Sequence, residues 1–328
     1  MGKRTNISRR SFLKGSALTV GGVALSGMVG GLGDALAASQ SGSPGSDVFF
    51  TKDISVDGLR KLYSRVNQKI TGKIAVKLHT GETGAPYIIP ADMVKGLMAD
   101  IPGSVIVECN VLYNSPRKTT EGHRKLIADN GWTFCPVDIM DEHGDVNLPV
   151  NGGKWFKEVA FGKGIMNYDS MLVLTHFKGH ALGGFGGSLK NISIGCASGK
   201  TGKAQLHAST GGNWPSGTDL MERMVEGGKA VTDHFGQRIT YINVLRSMSV
   251  DCDCAGSRAA SPTAPDLGIL ASTDILAVDQ ASVDMVYALP DAQKRDLVER
   301  IESRGGLRQL TYMRELGMGN KAYNLIQV

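Results

Sequence analysis

Mostly apolar runs of strand length alternate along the chain with stretches that repeat their apolar positions at helical spacing. Residues 74–78 and 105–107 are runs of the first kind. Residues 90–99 are of the second kind, and a proline stands at their start, where the first turn of a helix tolerates it. This order predicts βαβ units, in which helices connect parallel strands.

The same alternation continues through the rest of the chain. We predict further helices over residues 119–129, 219–231, 275–288 and 291–304, and further strands over residues 171–175, 239–245 and 267–271. The expected fold is therefore α/β, with a mainly parallel sheet and helices on both faces, arranged as one large domain or two closely joined lobes.

Polar segments rich in glycine or small residues follow four of the predicted strands. They cover residues 79–82, 110–117, 176–187 and 249–254. Functional groups of open α/β sheets collect outside the carboxyl ends of the strands. We therefore expect these four segments to share one cleft.

The first residues carry a paired arginine in the sequence SRRSFLK at positions 8–14, and a glycine-rich, weakly apolar stretch then ends in Ala-Leu-Ala at 35–37. This is the pattern of a twin-arginine signal with an A-x-A cleavage site. The glycines disfavour a membrane span. We expect a signal peptide over residues 1–37, a linker over 38–47 and an α/β domain over 48–328, exported to the periplasm by the twin-arginine translocase.

The positive charge of the chain is concentrated in that signal. The formal net charge is +5, and residues 1–37 supply +4 of it, from five lysines and arginines against one aspartate. The remainder is close to neutral, so the basic pI does not indicate nucleic-acid binding, and we expect no nucleic-acid partner. With 41% hydrophobic residues the chain can bury a sizeable core.

The five cysteines are an odd number for a protein sent to a disulfide-permissive compartment. Cys252 and Cys254 stand in the sequence Asp-Cys-Asp-Cys, which suits thiolate ligands of a metal or cluster, or a redox pair. The equal alternative is a structural disulfide, between these two or with Cys109, Cys135 or Cys196.

The segment over residues 175–191 is the richest in candidate chemistry. Glycines allow backbone N–H groups to turn toward an anion, and a following lysine adds charge. We expect a small anionic ligand to bind there, although a flexible glycine-rich turn is the alternative. The residues expected to bind it are Gly184, Gly186, Gly187, Lys190 and Asn191, with Arg117 and His79 from neighbouring strand ends.

The same segment contains two histidines, His176 and His180. Imidazole titrates near neutrality and is a common metal ligand, so proton transfer and metal binding both remain open. Gly179 disfavours the helix that would place the two rings on one face. Lys178 is expected to neutralise an anionic substrate.

Taken together, these segments resemble the domain of unknown function 362 family, whose members are often described as iron–sulfur-associated. The matching segments cover residues 77–79, 110–117, 176–180, 183–191, 195–196, 203–207, 241–244, 252–254 and 277–281. The resemblance implies a metal, an iron–sulfur cluster or another redox cofactor, held here by Cys252, Cys254, Cys196 and His207. Many members append a run of C-x-x-C spacing, and this chain has none, so ferredoxin activity is not carried over.

The histidine–glycine segment is also similar, over a short stretch, to nickel-pincer lactate racemases, which implies roles for His176, His180 and Lys190. The leading expectation is a periplasmic protein that binds a redox cofactor and a small anion and exchanges electrons with an exported redox partner. The alternatives are an anion-binding or cofactor-maturation factor without catalysis, and a nickel-cofactor hydroxy-acid isomerase.

Overall fold

A computed structural model of the protein describes residues 45–207 and 217–328. The predicted signal peptide and most of the linker lie outside the described residues, and residues 46 and 47 of that linker belong to the first strand. The strands are β1 (Ser46–Thr51), β2 (Ile74–Lys77), β3 (Val105–Glu108), β4 (Val137–Ile139), β5 (Asp145–Pro149), β6 (Glu158–Gly162), β7 (Ser170–His176), β8 (Lys178–His180), β9 (Gly184–Gly186), β10 (Ile239–Leu245), β11 (Gly268–Ser272) and β12 (Tyr323–Gln327). The helices are α1 (Val56–Val66), α2 (Ala91–Met98), α3 (Thr120–Asp129), α4 (Ser188–Cys196), α5 (Gly202–Leu206), α6 (Thr218–Phe235), α7 (Ile275–Tyr287), α8 (Asp291–Ser303) and α9 (Arg308–Glu315).

Eight strands form one sheet in the order β12-β1-β11-β10-β7-β2-β3-β4. All neighbours in this sheet pair in parallel except that β11 runs antiparallel to both β10 and β1. The expected α/β fold with a mainly parallel sheet is therefore confirmed. Two short antiparallel pairs, β5 with β6 and β8 with β9, lie outside the sheet.

Strand β7 shows how the sheet is covered on both faces. Its side chains alternate, so that Met171 and Val173 belong to one apolar cluster, and Leu172 and Leu174 to another. The first cluster includes buried side chains of α4, α6 and α7, and the second includes those of α1 and α2. A strand that is buried on both faces has a continuous run of apolar residues, which explains why the sequence pattern predicted β7.

The predicted helices and strands all occur, and most of their ends lie within a residue or two of the prediction. Helix α1 was not predicted, although Ser55 caps it by accepting the backbone N–H of Gly58. No helix within the described residues is long and apolar enough to cross a membrane.

Candidate functional site

A cavity of about 450 Å³ opens where β2, β3 and β7 end. This size is typical of small-molecule sites, and the position is the one expected from the four polar segments. The predicted site residues that line it are His79, Arg117, His176, Lys178, His180, Gly186, Gly187, Lys190, Asn191, His207, Cys252 and Cys254.

Gly184 and Cys196 do not line this cavity. Gly184 has φ of 76°, and a Cβ there would come within 2.8 Å of the Cα of Gly306, so this glycine serves close packing. Cys196 is fully buried at the end of α4, where burial raises its pKa to about 11. Its carbonyl oxygen accepts a hydrogen bond from the Cys109 thiol at 3.2 Å. The structure thus does not bring Cys196 to the other predicted ligands.

The Cys252–Cys254 turn is anchored through its middle residue. The carboxylate of Asp253 lies 3.0 Å from Nδ1 of His176 and 2.9 Å from Nζ of Lys178, and all three side chains are buried. The other ring nitrogen of His176 lies 2.8 Å from the carbonyl oxygen of Arg246. Both ring nitrogens of His176 are thus engaged by acceptors of the protein itself. His176 and Lys178 therefore position the cysteine turn.

Two other histidines, His79 and His180, line the cavity beside Cys252. Nδ1 of His180 accepts the backbone N–H groups of residues 182–183 at 3.2 and 2.8 Å, and Nδ1 of His79 accepts that of Gly81 at 2.8 Å. A neutral ring whose Nδ1 accepts carries its hydrogen on Nε2. Burial lowers the pKa of both rings, that of His180 to about 4, which favours their neutral forms. Nε2–H of His180 is therefore the ring donor available to Cys252. Nε2 of His79 instead lies 3.3 Å from Nη1 of Arg117, and a guanidinium can only donate.

The contacts of Cys252 favour its thiolate form. Its sulfur also accepts the backbone N–H of Cys254 at 3.4 Å and lies 4.0 Å from Nζ of Lys190. The hydrogen bond from the Cys254 thiol outweighs burial and, with the charge of Lys190, holds the pKa of Cys252 well below its usual range. The same hydrogen bond raises the pKa of Cys254. These contacts therefore favour a thiolate on Cys252 and a thiol on Cys254.

The two sulfur atoms and one ring nitrogen of His180 lie within 4.8 Å of one another, which is close enough to enclose a metal ion. His180 does not fit as a ligand, because an Nε2-bound ring carries its hydrogen on Nδ1, and Nδ1 here accepts backbone N–H groups. His207 is not a member of this group, and its Nδ1 lies 2.7 Å from the carbonyl oxygen of Lys203. The group supplies two sulfur ligands, fewer than the three or four protein ligands of zinc or cluster sites.

The glycine-rich segment contains the start of helix α4, and the anion at this helix N-terminus is supplied by the chain itself. The carboxylate of Asp279 accepts the backbone N–H groups of Ser188 and Leu189 at 2.8 and 3.0 Å. A Cβ on Gly187 would lie 2.5 Å from that carboxylate, so glycine is needed for the close approach. These backbone groups are not available to an external anion, and the side chain of Lys190 is the group of this segment that remains for one.

Two other predicted anion-binding residues are engaged within the cavity wall. Asn191 donates to Thr175 Oγ1 at 2.9 Å and so ties α4 to the end of β7. Arg117 donates to Glu108 at 3.0 Å, and Nζ of Lys77 lies 3.0 Å from the same carboxylate. Burial alone raises the pKa of Glu108, but the charges of Lys77 and Arg117 outweigh it and hold that pKa well below its usual range.

Glu108, Asp279 and Lys203 are site residues that the sequence did not reveal. Glu108 ends an apolar strand, and Asp279 lies within a helix that is buried nearly all round. Their positions fit solvated or capping roles equally well, so only the contacts identify them. All five cysteines lie in the described residues, and none of them forms a disulfide.

Comparisons with known proteins bear on the identity of the chain. A family profile described as "Domain of unknown function (DUF362)" matches residues 74–284, and a twin-arginine translocation signal profile matches residues 6–26. The signal confirms the expected export by the twin-arginine translocase and the periplasmic location. No curated protein matches the chain.

Two solved structures share low sequence identity with this chain. The lactate racemase apoprotein from Thermoanaerobacterium thermosaccharolyticum is 9% identical with a TM-score of 0.41, over 74% of this chain and 57% of that one. A protein from Thermotoga maritima is 12% identical with a TM-score of 0.37, over 59% of this chain and 50% of that one. The chain thus spans 57% of the length of the first and half of the length of the second. By the extent of the profile match, the protein belongs to the family of the domain of unknown function DUF362.

Proposed function

We propose that this exported protein is a thiol oxidoreductase that binds a small anionic ligand beside Cys252. The observation that carries the proposal is the surroundings of the Cys252 sulfur, which accepts the backbone N–H of Cys254 at 3.4 Å and lies near the His180 ring and Nζ of Lys190. Backbone and ring N–H donors and a nearby ammonium group each stabilise a thiolate. Such a sulfur is ready to act as a nucleophile.

The anionic ligand is proposed from the charge at the same place. Nζ of Lys190 lies 4.0 Å from the Cys252 sulfur, and no carboxylate of the described residues forms an ion pair with it. An ammonium group in a cavity attracts an anion and also draws the reacting atom of the ligand toward the sulfur. Lys190 therefore supports both ligand binding and thiolate formation.

The substrate class that suits a thiolate next to a thiol is a small acidic disulfide. The Cys252 thiolate attacks one sulfur of the disulfide, and the other sulfur leaves as a thiolate. Cys254 then loses its proton and attacks Cys252, which releases the second sulfur. One disulfide becomes two thiols while the Cys252–Cys254 dithiol becomes a disulfide, and an exported dithiol partner returns it to the reduced state.

The test is to incubate the reduced, mature protein with dithiodipropionate, an anionic disulfide, and with cystamine, a cationic disulfide of similar size. The protein should lose the mass of two hydrogens on Cys252 and Cys254, and should do so about tenfold faster with the anionic reagent. Cys254→Ser should stop at the mixed disulfide, and Cys135→Ser, remote from the cavity, is the matched control. Equal rates with both reagents, or no mixed disulfide on Cys252, would refute the proposal.

The sulfur pair also motivates a second candidate, a soft metal ion held by Cys252 and Cys254. Elemental analysis of the anaerobically purified protein distinguishes the two. Stoichiometric metal that is lost in Cys252→Ser favours the metal site over thiol exchange. Ligand binding without thiol exchange favours the binding or maturation factor, and solvent-deuterium exchange into a hydroxy acid favours the isomerase.

A further inference from the structure

Lys203 is one of four lysines that line the cavity, and the proposed thiol chemistry does not use it. Its side chain is 5% exposed, and Nζ donates to the carbonyl oxygen of Ala197 at 2.6 Å. Asp141 acts on it electrostatically, but both oxygens of that carboxylate are engaged by the backbone N–H groups of Asn110 and Gly199 at 2.9 and 2.8 Å. Within the described residues Lys203 thus forms no ion pair.

The other cations of the cavity wall, apart from Lys190, each have a carboxylate partner. Lys77 and Arg117 share Glu108, and Lys178 pairs with Asp253 at 2.9 Å. Lys190 and Lys203 are therefore the two lysines of the lining, as far as the structure describes it, that have no carboxylate partner. Lys190 already lies beside the Cys252 thiolate.

A buried ammonium without a counterion is costly, because it has lost water and gained one hydrogen bond. Burial lowers the pKa of Lys203, which is the expected sign of that cost. A ligand anion placed at this nitrogen would recover much of the lost solvation energy. The remaining wall offers mostly apolar contacts, from Val111, Leu112, Leu182, Ile194, Leu220 and Met224.

We infer that the cavity accommodates a dianionic ligand, with one anionic group at Lys190 beside Cys252, a second at Lys203, and an apolar carbon chain against the wall. The inference deepens the proposed function and depends on it for the group at Lys190. The volume of about 450 Å³ suits a short-chain dicarboxylate. For a disulfide substrate, it requires an acid group on each side of the sulfur–sulfur bond.

The test uses ligands that contain no sulfur. Binding of the series from succinate to suberate is measured by calorimetry on the mature protein and compared with monocarboxylates of the same chain length. At one chain length the dicarboxylate should bind about tenfold more tightly than its monocarboxylate, the size of one additional charged contact. Lys203→Met should abolish this preference. The control is Lys200→Met, an exposed lysine just before α5, which should keep the preference.

A second measurement distinguishes a lost binding contact from a folding defect in Lys203→Met. Because Lys203 is buried without a counterion, Lys203→Met should be at least as stable to urea as the wild type when no ligand is present. A large loss of stability would mean that the Ala197 contact is structural and would overturn the inference. So would equal binding of both acids at every length.

The result separates this inference from the proposed function. A dicarboxylate preference that disappears in Lys203→Met, together with absent disulfide exchange, upholds the dianion site and removes the thiol chemistry. Disulfide exchange without a dicarboxylate preference upholds the thiol chemistry and removes the dianion site.

Discussion

The carboxylate of Asp279 accepts the backbone N–H of Ser188 at 2.8 Å, although 91 residues separate the two in the chain. This contact joins α7 to the start of α4, the helix that carries Lys190 into the cavity. An internal carboxylate at a helix N-terminus satisfies donors that have no partner within the helix. Asp279 therefore determines where Lys190 stands relative to Cys252.

Replacing Asp279 tests this link. Asp279→Ala leaves the N–H groups of Ser188 and Leu189 and the amide of Asn243 without their acceptor, and each unmet buried donor costs about 1–3 kcal/mol. We expect the free energy of unfolding in urea to fall by about 3 kcal/mol or more. Asp279→Asn keeps an acceptor oxygen, so its free energy of unfolding should fall by less. Equal stability of Asp279→Ala and the wild type would show that the contact is dispensable.

The same carboxylate predicts a pH dependence. Burial outweighs the hydrogen bonds from Leu189, Asn243 and Ser188 and raises the pKa of Asp279 to about 6. The unfolded value is about 3.9, so the folded protein binds the proton more tightly. The stabilisation that comes from this tighter proton binding is fully present below about pH 4 and is lost as the pH rises through about 6. The stability of the wild type relative to Asp279→Asn should therefore fall between pH 4 and 7, and a rise over that range would contradict the assignment.

Glu108 forms ion pairs with two buried cations, so its replacement should lower the free energy of unfolding. In Glu108→Gln, Lys77 and Arg117 keep their charges without the shared carboxylate, and breaking a buried ion pair from one side costs about 3–5 kcal/mol. Urea unfolding at pH 7 measures the loss. Glu299→Gln, an exposed position on α8, should change stability by less than about 0.5 kcal/mol. Similar values for both variants would exclude the proposed charge cluster.

The donor role of His180 can be measured through the reactivity of Cys252. His180→Phe keeps the ring but removes the N–H, and a hydrogen bond to a charged group contributes about 1.5–3 kcal/mol. Alkylation of Cys252 by iodoacetamide is followed against pH by peptide mass spectrometry, and the midpoint of this profile should rise by about one pH unit or more. His143→Phe changes a side chain that is 88% exposed and should not move the midpoint. An unchanged midpoint in His180→Phe would show that the ring does not stabilise the thiolate.

Gly179 joins the histidine segment to the cysteine turn. Its N–H donates to the carbonyl oxygen of Ser249 at 2.7 Å, and a Cβ would lie 2.2 Å from the carbonyl oxygen of Val250. Gly179→Ala must separate the two segments, and we expect a loss of about 1–3 kcal/mol in stability together with slower alkylation of Cys252. At Gly186 the nearest atom to a new Cβ is at 3.5 Å, so Gly186→Ala is the steric control.

The sequence by itself determined the export route and the architecture. The paired arginines form a signal within a few consecutive residues. The strands and helices follow from the spacing of apolar residues, because a sheet that is buried on both faces requires apolar residues along its strands. It also predicted that the four polar segments lie close together, because the carboxyl ends of parallel strands share one edge of the sheet. For that reason most of the predicted site residues, from His79 to Cys254, line one cavity.

Only the tertiary structure decided what each of those side chains does. His176 and His180 are equivalent candidates in the sequence, yet both ring nitrogens of His176 face acceptors, whereas Nδ1 of His180 accepts backbone N–H groups and its other nitrogen is left for Cys252. Likewise the helix N-terminus in the glycine-rich segment binds Asp279 instead of an external anion. The role of a polar side chain depends on which donors and acceptors surround it, and those come from residues far apart in the chain.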